Sequence, residues 1–123
     1  MPKSIIIKSN GGPEVLGIED VEVDSPGPNE IKVTNHAIGL NFIDTYHRSG
    51  LYPLKLPSGI GLEAAGKIDE VGSNVKRFSK GDNIAYASMP IGAYSQQRII
   101  PEKIAVKVPE GISLKLAATL MTK

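Results

Sequence analysis

Apolar residues recur along this chain in short runs separated by clusters of turn residues, and the runs mostly carry the period of a strand. In residues 4–8 three consecutive isoleucines, Ile5, Ile6 and Ile7, form a β-branched run that Asn10-Gly11-Gly12-Pro13 brings to an end. Residues 16–23 alternate loosely between apolar and acidic side chains, and Asp24-Ser25-Pro26-Gly27-Pro28-Asn29 then breaks the chain. Residues 30–39 hold the clearest alternation. Ile31, Val33, Asn35 and Ala37 fall on one face, and Lys32, Thr34, His36 and Ile38 fall on the other, which predicts a half-buried strand with His36 towards solvent. Four more strands are predicted over 66–71, 83–87, 93–100 and 104–108, with turn signals between them. The sum is a mostly antiparallel, barrel-like β domain.

Two stretches switch to the helical period. Over 41–49, Phe42, Ile43, Tyr46 and His47 stand at helical offsets, Asn41 can cap the N-terminus and Gly50 can close the C-terminus. His47 is expected to be partly exposed in the last turn, where an imidazole suits the helix dipole. Ser113 is a plausible N-cap for a second helix, in which Leu114, Ala117, Ala118 and Met121 recur until the chain ends. Because such an apolar stripe needs a cover, this helix is expected to be cut short by truncation, the alternative being a C-terminal helix that docks on the barrel.

Composition narrows the functions. A chain of 123 residues with 41% hydrophobic side chains is large enough to bury one core. Fourteen basic residues against thirteen acidic ones leave a net charge of +1 with neither sign gathered in a block, so nucleic acid and membrane surfaces are unsuitable partners. Zero cysteines remove disulfides, thiolate metal sites and cysteine nucleophiles, and suit a reducing cytoplasm. The N-terminal apolar run is three residues long, far short of an export signal or a membrane span.

Few motifs survive their context. Gly59-Ile60-Gly61-Leu62-Glu63-Ala64 fits the loose dinucleotide fingerprint, but that fingerprint should follow a strand and open a helix, whereas a strand-like run follows it here. His36 and His47 have no cysteine companion, which argues against a metal. Asp44 and Glu63 are read as a cap or an ion-pair partner before a general base. Nucleophile elbows and phosphate-binding lysine loops are missing from the sequence. What remains is Asn41, Phe42, Tyr46 and Tyr52, a set able to line a flat apolar pocket or to plug the end of a barrel.

The run Ala37-Ile38-Gly39-Leu40-Asn41-Phe42-Ile43-Asp44-Thr45-Tyr46-His47-Arg48-Ser49-Gly50-Leu51-Tyr52-Pro53 resembles the signature region of the quinone oxidoreductase and zeta-crystallin branch of the medium-chain dehydrogenase/reductase family. Gly11 to Leu16, Leu56 to Gly66, Val71-Gly72, Gly81-Asp82, Gly92-Ala93-Tyr94 and Pro109 to Ala118 stand in matching order, so the resemblance runs through the whole chain. The zinc-dependent branch of that family has a cysteine ligand where this chain has Asn41, and Gly-His-Glu where it has Gly61-Leu62-Glu63. Both protein contacts to a catalytic zinc are therefore missing.

The resemblance implies a GroES-like, partly open β-barrel over residues 1–111, with 112–123 starting a helix that leads into an absent Rossmann domain. It implies hydride transfer from NADPH to a quinone without zinc, in a cytoplasmic enzyme that is a homodimer at full length. By the same resemblance Asn41, Phe42, Ile43 and Tyr46 touch the nicotinamide end of NADPH, Asn41, Tyr46 and Tyr52 border the quinone pocket, and the isolated chain is inactive. Tyr46 is placed on the inner face of its helix, with Phe42 one turn earlier. The alternatives are a non-enzymatic GroES-like binding module and a fragment of a sister-branch enoyl reductase.

Overall fold

The alternating segment at 30–39 becomes the spine of the molecule. In the computed structural model, which describes residues 1–121, β3 (Glu30–Gly39) pairs antiparallel on one side with β5 (Glu63–Val71) and on the other with β7 (Gln97–Pro101). With β6 (Asn83–Ala87) and β8 (Val106–Lys107) they form a five-stranded sheet in the order β7-β3-β5-β6-β8. A second sheet of β1 (Lys3–Ile7), β2 (Gly17–Asp20) and β4 (Ser58–Gly59) has the order β2-β1-β4. The Ser4–Ser95 bridge links the sheets, and Ile5 N–H donates to the Tyr94 carbonyl at 2.8 Å. Both sheets are antiparallel and they do not close on each other, the partly open form of the GroES-like barrel.

The period-two pattern is obeyed where it was strongest. Ile31 and Val33 are fully buried and pack with Ile68, Phe78, Ile84, Tyr86 and Ile100 between the sheet and its connections. Full burial of one such aliphatic side chain is worth about 1.5–3 kcal/mol, so this cluster holds most of the core's stability. Asn35, on the same face of β3, satisfies its amide by donating to the Ala93 and Ser95 carbonyls and by accepting the Tyr86 hydroxyl at 2.9 Å. His36 is exposed, as the alternation predicts.

Other boundaries move. β5 begins at Glu63 instead of 66, because 63–66 pair with both β3 and β6. The expected strand over 93–100 shrinks to Gln97–Pro101. Its first half is spent on a tight turn, where Ser95 N–H donates to the Ala93 carbonyl, and on contacts to β1. Residues 102–104 form a 3₁₀ turn, which leaves only β8 of the last predicted strand. The short β4, pairing with β1 at Ile6 and Ile7, has no sequence signal of its own.

The first helix, α1 (Phe42–Ser49), lies where it was expected, with Asn41 as N-cap and Gly50 as a left-handed C-cap at φ +91°. The second, α2 (Leu114–Ala117), is shorter than its periodicity predicts. Ser113 Oγ accepts the Leu116 N–H at 3.0 Å, but the segment tightens after Ala117, with Thr119 and Leu120 N–H donating three residues back. Ala117 and Ala118 face Ala65 and Ala85, so small side chains on both sides let the backbone approach the sheet. Residues 122–123 of the segment predicted to lead onwards lie outside the described residues.

Candidate functional site

α1 starts directly where β3 ends, so a rigid strand fixes the position of its first turn. Asn41 has the extended backbone of an N-cap, and the Asp44 carboxylate reaches back to accept its N–H at 3.1 Å. The same Asp44 oxygen accepts the Tyr94 hydroxyl at 2.6 Å, across 50 residues of sequence. Asp44 is only 2% exposed, and its other oxygen is buried without a hydrogen-bond partner among the described residues. Burial pushes the Tyr94 phenol well above its usual range, and the hydrogen bond and charge of Asp44 push it further. It stays a donor throughout the physiological range.

The side chain of Asn41 turns the other way and donates from Nδ2 to Oε1 of Glu63 at 2.9 Å. Glu63 is wholly buried, and its Oε2 accepts the backbone N–H of Met121 at 3.0 Å. Asn41 is thus a donor to two buried carboxylates, one through its backbone and one through its amide. The expectation that Asp44 caps the helix agrees with this geometry. Glu63 is instead a buried acceptor shared between two elements.

Tyr46 and Phe42 share the face of α1 that is turned away from the barrel. Asp44 and His47 point inward, and Ile43 is half-buried, while Phe42 is 82% exposed and Tyr46 36% exposed. The reason is the Asp44–Tyr94 bond, which pins position 44 to the barrel and thereby rotates 42 and 46 outward. His47 is 7% exposed, not partly open, because the chain folds back after Gly50 and lays the Tyr52 ring against it at 6.2 Å. Tyr52 also meets Tyr46 edge to face at 5.4 Å and keeps half of its own surface open. Phe42, Tyr46 and Tyr52 are all exposed, so the outward side of α1 and the turn after it carry open aromatic surface.

The glycine motif at 59–64 makes no phosphate cradle. Gly61 has φ +96°, the Tyr94 ring occupies the space a side chain there would need, and the chain enters β5 instead of a helix. An apolar cleft of about 540 Å³ lies elsewhere, between β1, β2 and the outer half of β3. It is lined by residues such as Ile5, Ile18, His36 and Ile38, and not by Asn41, Phe42, Ile43, Tyr46 or Tyr52. Among the described residues no three His, Cys, Asp or Glu side chains gather as a metal site, and no helix is long and apolar enough to cross a membrane. Sequence reasoning missed Tyr94 as a partner of α1, and the turn glycine at 92 was the only nearby signal.

Two antiparallel sheets that do not close, with a capped helix leaving the end of β3, define a GroES-like domain. Residues 27–110 match the alcohol dehydrogenase GroES-like domain family, and the chain belongs to that family. Over its whole length it is 52% identical to a quinone oxidoreductase of Pseudomonas aeruginosa, of which it spans 38%. It is 42% identical to a 2-haloacrylate reductase of a Burkholderia species, covering 93% of this chain and 35% of that protein. The crystal structure of Escherichia coli quinone oxidoreductase complexed with NADPH superimposes with a TM-score of 0.92 at 49% identity, over 94% of this chain and 36% of that one. The chain therefore spans little more than a third of the length of these relatives.

Proposed function

We propose that this domain is the substrate-side part of an NADPH-dependent quinone oxidoreductase that works without zinc. The observation that carries the reading is the outward side of α1, which begins at the Asn41 cap and where Phe42 and Tyr46 expose ring surface, with Tyr52 edge to face on Tyr46. Nicotinamide and quinone are both flat and apolar, and exposed aromatic faces on a rigid helix are suited to stacking and orienting them. In this reading Asn41, Phe42, Ile43 and Tyr46 hold the nicotinamide end, and Asn41, Tyr46 and Tyr52 border the quinone.

NADPH, when bound, supplies the hydride. The chain's own residues orient the two rings and exclude water, and no general acid is demanded because the reduced oxygens can take protons from solvent. The donor set does not fit a catalytic zinc: Asn41 is a neutral amide already bonded to Glu63, Leu62 has no donor atom, and the chain has no cysteine. A dinucleotide draws much of its affinity from its phosphates, for which the Gly59–Ala64 segment offers no helix N-terminus, so the isolated chain is proposed to be inactive. Homodimerisation and a cytoplasmic setting belong to the same proposal for the longer enzyme.

The test is a titration of ¹⁵N-labelled chain with reduced nicotinamide mononucleotide, the cofactor's reactive end alone, and then with 1,4-naphthoquinone. Shifts confined to Asn41, Phe42, Ile43 and Tyr46 for the first ligand, and to Asn41, Tyr46 and Tyr52 for the second, are expected. Shifts confined to the cleft between β1 and β3, or to neither place, would refute the assignment. The 2-haloacrylate reductase relative favours a second reading, reduction of an alkene conjugated to a carboxylate. Shifts at the same face with 2-chloroacrylate but not with the quinone would select it.

A further inference from the structure

Glu63 opens β5 in register with Gly39 of β3 on one side and Ala87 of β6 on the other, so its backbone is held from both edges. Among the described residues, its fully buried carboxylate accepts the Asn41 amide on Oε1 and the Met121 N–H on Oε2. The room for this carboxylate comes from position 39, which has no side chain. A Cβ on Gly39 would collide with Oε1 of Glu63 and with the Ala118 carbonyl.

Turning the Asn41 amide away from Glu63 breaks a 2.9 Å hydrogen bond to a fully buried acceptor, which is costly in a site closed to water. The Asn41 backbone is fixed independently, by its N–H bond to Asp44 and, through Asp44, by Tyr94. With the backbone held there, the Asn41 side chain faces the Asp44 N–H in the capping box and gives its Nδ2 hydrogen to Glu63, so Glu63 is one of the groups that set the torsions of the amide.

We propose that Glu63 is a positioning residue for the nicotinamide site: it fixes the orientation in which Asn41 presents its amide, and it makes that orientation depend on the docking of the chain at Met121. The inference rests on the reading that Asn41 touches the nicotinamide end of the cofactor. The segment beyond α2 then becomes part of the site without touching a ligand, because the Met121 N–H meets the same carboxylate that accepts the Asn41 amide.

The experiment uses the ¹⁵N-labelled chain and the variants Glu63→Gln and Glu63→Asp. Gln keeps the shape but replaces one acceptor oxygen by a donor, and Asp keeps the charge but withdraws it by one methylene. In each, hydrogen exchange of the Asn41 side-chain amide and of the Met121 N–H should speed up at least about tenfold, the scale of one lost charge-assisted bond, while backbone amides of β3 and β5 stay protected. The apparent affinity for reduced nicotinamide mononucleotide should fall several-fold in both variants, with Tyr46 still shifted at saturation. Should Glu63→Gln fail to fold, Glu63→Asp alone decides. Unchanged Asn41 exchange in a folded variant overturns the inference, and so does faster exchange with unchanged affinity, which would leave Glu63 a purely structural role. The cofactor reading fails separately, through an absence of shifts at Asn41 and Tyr46 in the unaltered chain, whatever the exchange rates show.

Discussion

Tyr94 joins two features that a sequence keeps apart: its ring takes the space above Gly61, and its hydroxyl ends on the carboxylate of Asp44 in α1. Replacing it by phenylalanine keeps the ring and removes one hydrogen bond to a buried charged group. Urea denaturation of Tyr94→Phe should show a loss of about 1–3 kcal/mol at neutral pH. The pH dependence has a definite sign. The folded phenol is raised above its unfolded value of about 10, so its contribution is complete below that pH and is lost as pH rises towards the folded value. Stability measured between pH 8 and 11 should therefore decline in the unaltered chain and decline less steeply in Tyr94→Phe, where Tyr86, also raised by burial, still titrates. Tyr46 makes the opposite case. It is 36% exposed and touches Tyr52 edge-on, so Tyr46→Ala should cost less than about 2 kcal/mol, against the ~3–5 kcal/mol of a buried aromatic. If Tyr46 belongs to the nicotinamide face, the mononucleotide affinity of that variant should fall several-fold while its denaturation midpoint moves little.

The first helix is defined at both ends by chemistry that its sequence spells out. Asn41 and Asp44 make a capping pair, and Gly50 closes the helix at φ +91° with its N–H on the Tyr46 carbonyl. A Cβ at position 50 would be strained by the left-handed backbone and would meet the Asn10 side chain at 2.8 Å. Gly50→Ala should cost about 1–2 kcal/mol from the backbone alone, and thermal melts followed by circular dichroism would measure it. The second helix depends on one side chain at its start. Ser113→Ala should remove about 0.5–2 kcal/mol and speed amide exchange in α2, with β3 and β5 unaffected. Its expected length was wrong because Leu114, Ala117, Ala118 and Met121 fit a longer helical stripe, whereas contact with the alanine surface of β5 and β6 and the bond from Met121 to Glu63 stop it.

The molecule presents exposed aromatic side chains on α1 and in the turn after it and, among its described residues, no cluster that could hold a metal. Dialysis of the purified chain against a chelator should leave its circular dichroism spectrum and melting temperature unchanged; stoichiometric zinc whose removal unfolds the chain would contradict the ligand argument. NADPH oxidation with 1,4-benzoquinone should stay far below ordinary enzyme turnover of about 1–1,000 per second. Turnover in that range by the isolated chain would show that a helix N-terminus for the dinucleotide phosphates is not required.

Much of this was legible in the order of residues. The alternation at 30–39 placed Ile31 and Val33 in the core and His36 outside it, and Asn41 with Gly50 bounded a helix, because these patterns depend on backbone periods of two and 3.6 that neighbours in sequence share. The lack of cysteine by itself removes thiolate chemistry. Tertiary structure alone decided which face of α1 turned outward, since that orientation is set by Tyr94, 50 residues away from Asp44. It also decided that Glu63 would serve Asn41, 22 positions away, and Met121, 58 away. Hydrogen bonds of that separation leave no period in the sequence, because each is formed by the crossing of chain segments that the sheet brings together.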